Sequence, residues 1–408
     1  MKIIFISEVS SIHAARWINQ FKDLDWDIHI FQGIARNNGV CPEFKVGSLY
    51  IPFEAPSPNG LVTNLTLPKR FPLQGKLFRV IKRKSYGYQQ KLEFDLAESL
   101  AELIKKVKPD FLHSLGLNIN WQNMMLSVYH ARGLLGGLEI PWIYSSWGAD
   151  LMHYAKLSSA HGDEVMAILQ LCDYYISECK RDADLARKNG FRGELLGFLP
   201  AFGGVTWKPE EFCAKGAPSS RRTILLKGRD ISGGDPQGRA MSVMKAFSLC
   251  EDALKGYRIV ICHAAPNVIN EAAVLRSTTN LDISIIPHLN YESWLRIMGA
   301  ARILVAATVT DGLPSTLVEA MSLGALPVHS GLSSIQEWIE DSKNGLLIPP
   351  ENPEAIAEAL RRALVDDGLV DRAAIINQAI VEEKLSDRVV KSKAIEMYKH
   401  VVEKGRTI

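Results

Sequence analysis

Two carboxylates eight residues apart, Asp311 and Glu319, stand where the chain could do chemistry. After Ala307 the sequence reads Thr308-Val-Thr-Asp311-Gly-Leu-Pro314-Ser-Thr-Leu-Val-Glu319-Ala-Met-Ser-Leu-Gly324-Ala-Leu-Pro327-Val. That is a strand, a turn punctuated by Gly and Pro, and a helix opening at about Ser315. The N–H groups of a helix's first turn have no partner inside the helix. Around Pro314 to Leu317 they therefore make an electropositive site suited to phosphate or to a sugar's hydroxyls. Asp311 precedes the turn and Glu319 lies one turn into the helix, so both can face a ligand over its N-terminus. The plainer alternative is that Asp311 and Ser315 only cap the helix.

The commonest nucleotide and metal signatures are missing. No G-x-G-x-x-G follows the first strand, and neither G-x-x-x-x-G-K-[ST] nor H-E-x-x-H occurs, which counts against a dinucleotide dehydrogenase and a P-loop NTPase. The six cysteines form no C-x-x-C pair and no zinc-type spacing with histidine, as expected in a reducing compartment. No apolar run approaches the ~18 residues that cross a bilayer, and the apolar stretch at residues 3 to 6 is too short for a signal-peptide core. A cytoplasmic protein is expected.

The elements that must hold these groups follow from the apolar pattern. With 408 residues, 47% apolar and 23% charged, the chain is long enough for two or three globular domains, and its net charge of +2 decides little, because a near-balanced total can hide a local patch. Short β-type runs alternate with helical stretches throughout, the mark of parallel sheets covered on both faces. Seven strands are expected in a first series: Lys2–Ser7, Asp27–Phe31, Val46–Pro52, Asp110–Ser114, Trp142–Ser146, Tyr174–Ser177 and Glu194–Leu199. Six follow in a second: Thr223–Lys227, Tyr257–Cys262, Asp282–Ile286, Ile303–Ala307, Leu326–His329 and Leu346–Ile348. Between them, Pro200–Ser220 has the composition of a linker, which puts a boundary near Gly203. Residues 1–202 and 203–386 are then two doubly wound α/β domains, and a last helix within 387–408 is free to pack back on the first. Ligands of such sheets bind at the carboxyl ends of the strands.

Set in (E/D)-G-x-P-x-x-x-x-E-A-M-x-x-G-x-P-V, the Asp311 to Val328 segment closely resembles the core motif of the family 4 retaining glycosyltransferases. The likeness continues through Ala301-Arg302, Glu337-Trp338 and Asn344-Gly345. In the first domain, His13-x-x-Arg16-Trp17, Trp147-Gly148-Ala-Asp150 and Glu178-Cys-x-Arg181-Asp182 are similar to a bacterial subgroup of these enzymes. The resemblance implies the GT-B fold, two Rossmann-like domains facing a central cleft. It also implies transfer of a sugar from a nucleotide-diphosphate donor to a hydroxyl of a saccharide or lipid-linked acceptor, with retained anomeric configuration and no metal or other cofactor.

Carried onto this chain, the resemblance gives Glu319 the ribose hydroxyls of the donor, and Asp311, where most relatives have Glu, a place beside the donor sugar. The backbone of Gly312, Leu313, Pro314, Ser315 and Thr316 would hold sugar and diphosphate, with His288 near the base. Negative charge gathers on the leaving phosphate and calls for cations. The turn Lys227-Gly228-Arg229-Asp230, leading to Gln237-Gly238-Arg239, supplies Arg229, with either Lys227 or Arg239 as a second. The usual Lys-Gly of relatives is Gln237-Gly238 here. Trp147 replaces a histidine common in the wider family, leaving Asp150 as a catalytic candidate or a local turn residue, and His13 as an acceptor contact or a packing residue.

From Ala55 to Leu92 there is no acidic residue, while basic and apolar side chains mix over 69–91. That mixture suits peripheral contact with an anionic inner-membrane face or a lipid-diphosphate acceptor, or else is a solvated surface; nucleic acid is the weakest partner. Two rivals of the transferase reading remain, a GT-B sugar-nucleotide 2-epimerase and a non-catalytic partner subunit.

Overall fold

Strands here are short runs of Ile, Leu and Val with no polar alternation, which is how a strand reads when helices cover both sides of its sheet. The computed structural model describes residues 1–32, 44–50, 64–65, 86–116, 124–136, 140–148, 150–156, 159–233, 237–286 and 289–405. The chain divides into two compact units, Met1–Gly203 with Val390–Ile408, and Gly204–Val389.

The first unit is built on β1 (Lys2–Ser7), β2 (Asp27–Gln32), β3 (Ser48–Tyr50), β4 (Asn64–Leu65), β5 (Phe111–Leu115), β6 (Trp142–Ser145), β7 (Tyr174–Ser177) and β8 (Glu194–Phe198). They lie in the order β4-β3-β2-β1-β5-β6-β7-β8, all parallel. Seven of these are the expected strands, with ends shifted by up to two residues. The eighth, Asn64–Leu65, is a two-residue edge strand, too short to leave a pattern. Ile3 to Ile6 are all fully buried, as the two-sided cover requires. Strand order reverses between β1 and β5.

Helix Asp387–Gly405 contributes Val390, Ala394, Tyr398 and Val401 to this unit's core, at intervals that place all four on one stripe. Tyr398 fixes its register. Its hydroxyl accepts from Trp17 Nε1 at 3.0 Å and lies 2.7 Å from His113 Nδ1, while His113 Nε2 lies 2.7 Å from Ser145 Oγ. Burial pushes His113 down to about 3, so the ring is neutral near pH 7, with one ring nitrogen donating and the other accepting.

The second unit holds β9 (Thr223–Lys227), β10 (Arg258–Cys262), β11 (Asp282–Ile286), β12 (Ala301–Ala306), β13 (Leu326–Ser330) and β14 (Leu346–Ile348). All are parallel, in the order β11-β10-β9-β12-β13-β14. Order reverses between β9 and β12, and ligands of such sheets bind at the carboxyl ends of the strands flanking that point.

Two buried arginines fix the helices around this sheet. Arg302, fully buried on β12, donates to the carbonyls of Ala363, Leu364 and Ser219 and pairs with Asp367 at 2.7 Å. It thereby satisfies the last carbonyls of helix Pro353–Val365. Arg221 does the same for helix Ser315–Leu323, donating to Leu323 O at 2.8 Å and to Ala301 O at 3.1 Å. Gly324 ends that helix at φ 76°, a left-handed conformation that glycine adopts without strain.

Candidate functional site

Most of the expected donor-side residues follow the carboxyl ends of β9 and β12, where strand order reverses. After β9 the chain makes a narrow hairpin whose neck is closed by Ala240 N to Arg229 O at 3.1 Å and Ile231 N to Gly238 O at 3.2 Å. The returning limb then pairs with the continuation of β12, through Arg239 N to Ala307 O at 2.9 Å and Val309 N to Gln237 O at 3.0 Å. Both glycines of the neck are sterically required. A Cβ on Gly238 would overlap the Arg229 carbonyl, and one on Gly228 would lie 2.8 Å from Ala264 Cα.

Within this frame Arg229 is exposed, Lys227 is half-buried at the end of β9, and Arg239 is held by Glu351. Its Nε donates to Glu351 Oε1 at 2.6 Å and its Nη1 to Gly238 O at 2.8 Å. Of the two residues expected to share the second positive charge, Arg239 is thus already matched by a carboxylate.

From β12 the chain passes through Thr308 and Asp311 into helix Ser315–Leu323. Pro314 is its N-cap, with no side-chain cap hydrogen bond. The capping alternative therefore does not hold: Asp311 Oδ1 instead accepts from the Gly312 amide at 2.9 Å, and Ser334 Oγ donates to Asp311 O at 2.8 Å. The hydroxyls of Thr308, Thr310 and Thr316 are buried with no hydrogen-bond partner among the described residues. Each such group costs ~1–3 kcal/mol, and three along one nine-residue stretch mark a place prepared for polar groups from elsewhere.

Glu319 is 3% exposed. Its Oε2 accepts from Trp294 Nε1 at 2.7 Å and its Oε1 from the Tyr291 hydroxyl at 2.9 Å. These two bonds, one to each oxygen, orient the group. Trp294 and Tyr291 were not among the sequence candidates, although their spacing of three puts them on one face of helix Tyr291–Gly299. Asn290 caps that helix by accepting from Ser293 N at 2.8 Å.

His329, at the end of β13, is a second unanticipated group. Burial drives it down to about 4; the Ser330 carbonyl and Asp311 oppose that fall, and Lys227 adds to it. The ring is therefore neutral near pH 7 and lies within electrostatic reach of both Asp311 and Lys227. No three His, Cys, Asp or Glu side chains converge as a metal-binding group among the described residues.

In the first unit the candidates sit at the carboxyl ends of β1 and β6. His13 is half-buried on helix Ile12–Asn19, its ring 6.2 Å from that of Trp147 and edge-on to it. Trp147 in turn packs over Gly116, where a Cβ would meet its ring at 3.1 Å. Asp150 is 3% exposed and its Oδ2 accepts from Trp147 N at 2.8 Å and from the Tyr144 hydroxyl at 3.0 Å. Glu178 clamps the same turn, accepting from Gly148 N at 2.7 Å and Ala201 N at 3.1 Å. His288 lies outside the described residues, as do positions 69–85 of the basic segment; residues 86–91 begin helix Tyr86–Val107. Among the described residues no helix is long and apolar enough to cross a membrane.

Comparison with known proteins supplies the context. Residues 242–366 match the family model described as glycosyl transferases group 1. An uncharacterized glycosyltransferase of Methanocaldococcus jannaschii, MJ1607, is 29% identical over 117 residues, 28% of this chain and 30% of that protein's length. Among solved structures, a sucrose-phosphate synthase from Thermosynechococcus elongatus superposes with a TM-score of 0.69 at 14% identity, covering 99% of this chain and 100% of the other. Anabaena Alr3699/HepE, solved in complex with UDP-glucose, gives 0.67 at 11% identity, covering 98% and 100%.

Proposed function

We propose, from the premise that this chain has the GT-B fold and that its residues 242–366 form a glycosyl transferases group 1 domain, that it transfers a sugar from a nucleotide-diphosphate donor to a hydroxyl of a saccharide or lipid-linked acceptor. The observation that carries this reading is the buried, doubly braced Glu319 on a helix whose N-terminus has no side-chain cap and which follows β12, where strand order reverses.

In this reading Glu319 accepts the O–H groups of the donor ribose, and the amides from Gly312 to Thr316 face sugar and diphosphate. The Thr308, Thr310 and Thr316 hydroxyls supply further polar contacts. Arg229 and Lys227 stabilise the charge that develops on the leaving phosphate, which the oriented amides of a helix end also favour. These groups would do the work of a metal, so activity should survive chelation. HepE binds UDP and UDP-glucose, which makes a UDP-sugar the first donor to test.

Transfer with retention follows if the acceptor attacks from the face the phosphate leaves. The bond from the anomeric carbon to the phosphate oxygen breaks, the bond to the acceptor oxygen forms on that same face, and the acceptor's proton passes to the departing phosphate. Asp311 lies beside the sugar in this scheme. A melting screen against UDP-, GDP-, ADP- and CMP-sugars tests donor binding, because a ligand of the folded state alone must raise stability. One nucleotide should stand out. Its sugar should then appear in a product of unchanged anomeric configuration by NMR, and no shift with any nucleotide sugar removes the proposal. Incubation with the donor alone separates transfer from 2-epimerisation.

A further inference from the structure

Next to the exposed Arg229 lies a carboxylate that the donor scheme does not use. Asp230 is 3% exposed and gathers four hydrogen bonds from three separate elements. Its Oδ1 accepts from Ser232 N at 3.2 Å, Ser232 Oγ at 2.7 Å and Asn267 Nδ2 at 2.9 Å, and its Oδ2 accepts from Met241 N at 2.9 Å. Burial alone would raise its pKa; the donors from Met241, Ser232 and Asn267 outweigh that and hold it below the ordinary carboxylate value.

Each partner has a place in the frame. Ser232 begins the hairpin tip. Met241 lies in the first turn of helix Ala240–Leu249, whose N-cap Arg239 makes no side-chain cap bond, so Asp230 satisfies that turn in its stead. Asn267 opens helix Pro266–Thr278, which follows β10. Asp230 also bridges Arg239 across the hairpin neck, and Gly238 bridges Thr308 on the limb that leads to Asp311. The side chain thus ties the loop after β9 to helices Ala240–Leu249 and Pro266–Thr278, while backbone bridges join the same segment to the strip that continues β12. Successive residues of an extended strand point to opposite sides, so fixing Asp230 inward directs Arg229 outward.

We infer that Asp230 is a positioning residue for Arg229, holding residues 229–233 against 237–241 so that the guanidinium meets the diphosphate of the donor. This rests on the reading of the second unit as a donor site. A displacement of about 1 Å at such a group can cost as much as 10²-fold. Asp230→Asn keeps the size of the side chain but turns N–H donors toward groups that themselves donate.

The test is calorimetric titration of the full chain with UDP, GDP and ADP, each against its nucleoside, in wild type, Asp230→Asn, Arg229→Ala and the double variant. The expected result is about a tenfold loss of diphosphate affinity in Asp230→Asn, an unchanged nucleoside affinity, and no further loss when the change is made on Arg229→Ala. Asn267→Ala, a milder lesion in the same network, should shift affinity in the same direction by about threefold even if Asp230→Asn folds poorly. Equal losses for diphosphate and nucleoside, or additive losses in the double variant, overturn the inference while leaving the donor site standing. A wild type that binds none of the three diphosphates removes the donor reading and this inference with it.

Discussion

Trp294 donates its indole N–H to Oε2 of Glu319 at 2.7 Å, from one helix to the next across the second unit. Tyr291, one turn earlier, takes the other oxygen at 2.9 Å. The carboxylate is therefore oriented before any ligand arrives, and its helix is anchored at the far end by Arg221 on Leu323 O. Two charge-assisted hydrogen bonds of this kind restrict the rotamers open to the carboxylate.

Replacing Trp294 by Phe removes one brace and little volume. A hydrogen bond to a charged group is worth ~1.5–3 kcal/mol, so stability should fall by about that amount. Donor affinity should weaken by about tenfold as Glu319 gains freedom. Urea denaturation and calorimetric titration measure the two effects separately, and Tyr291→Phe should act in the same sense.

Thr316 makes the opposite demand on stability. Its hydroxyl is buried in the first turn of helix Ser315–Leu323 without a hydrogen-bond partner among the described residues. Thr316→Val should leave stability unchanged or raise it by up to ~1 kcal/mol, because an unsatisfied buried group disappears. Nucleotide affinity should fall about three- to tenfold. Parallel melting and titration experiments check whether the two quantities move in opposite directions.

Arg302 illustrates a role that belongs to the frame alone. Arg302→Met leaves the carbonyls of Ala363, Leu364 and Ser219 without their donor, and a loss of ~3–5 kcal/mol is expected. Because Arg302 touches no candidate site residue, any folded protein should bind nucleotide as the wild type does. Urea unfolding followed by titration well below the midpoint separates the two.

Acid should destabilise both units through buried histidines. His113 is held at about 3 and His329 at about 4, chiefly by burial, against an ordinary value of 6.5. Below pH 6.5 the unfolded chain takes up protons that the folded chain refuses, so stability declines as pH falls until the folded values are reached. By pH 5 each histidine accounts for ~2 kcal/mol at ~1.4 kcal/mol per pH unit. Urea unfolding at pH 7.5 and pH 5 should show the loss, and His113→Asn should flatten the pH dependence of the first unit's transition.

The sheets were legible in the sequence because two-sided burial leaves continuous apolar runs such as Ile3–Ile6 and Ile303–Ala306. Among the described residues only the two-residue strand Asn64–Leu65 escaped, since pairing rather than composition defines it. Asp311, Glu319 and Arg229 stood out because Gly and Pro mark strand-to-helix turns. What supports them did not. Trp294 and Tyr291 read as ordinary aromatic residues on an amphipathic helix, and only their pairing with a residue about 25 positions away reveals what they hold. Asp230 read as the tail of a basic motif, and its partner Asn267 arrives from another βα unit. The match of Arg239 to Glu351, 112 residues on, was invisible for the same reason.

The central claim is that Glu319 grips the nucleotide of a sugar donor. Titration of wild type and Glu319→Ala with UDP-glucose, and with the GDP-, ADP- and CMP-sugars in turn, tests it most directly. The account predicts that one of these binds the wild type and that Glu319→Ala weakens it by about 100-fold or more while the protein stays folded. Equal affinity in the two proteins, or no binding of any sugar nucleotide by the wild type, would contradict it.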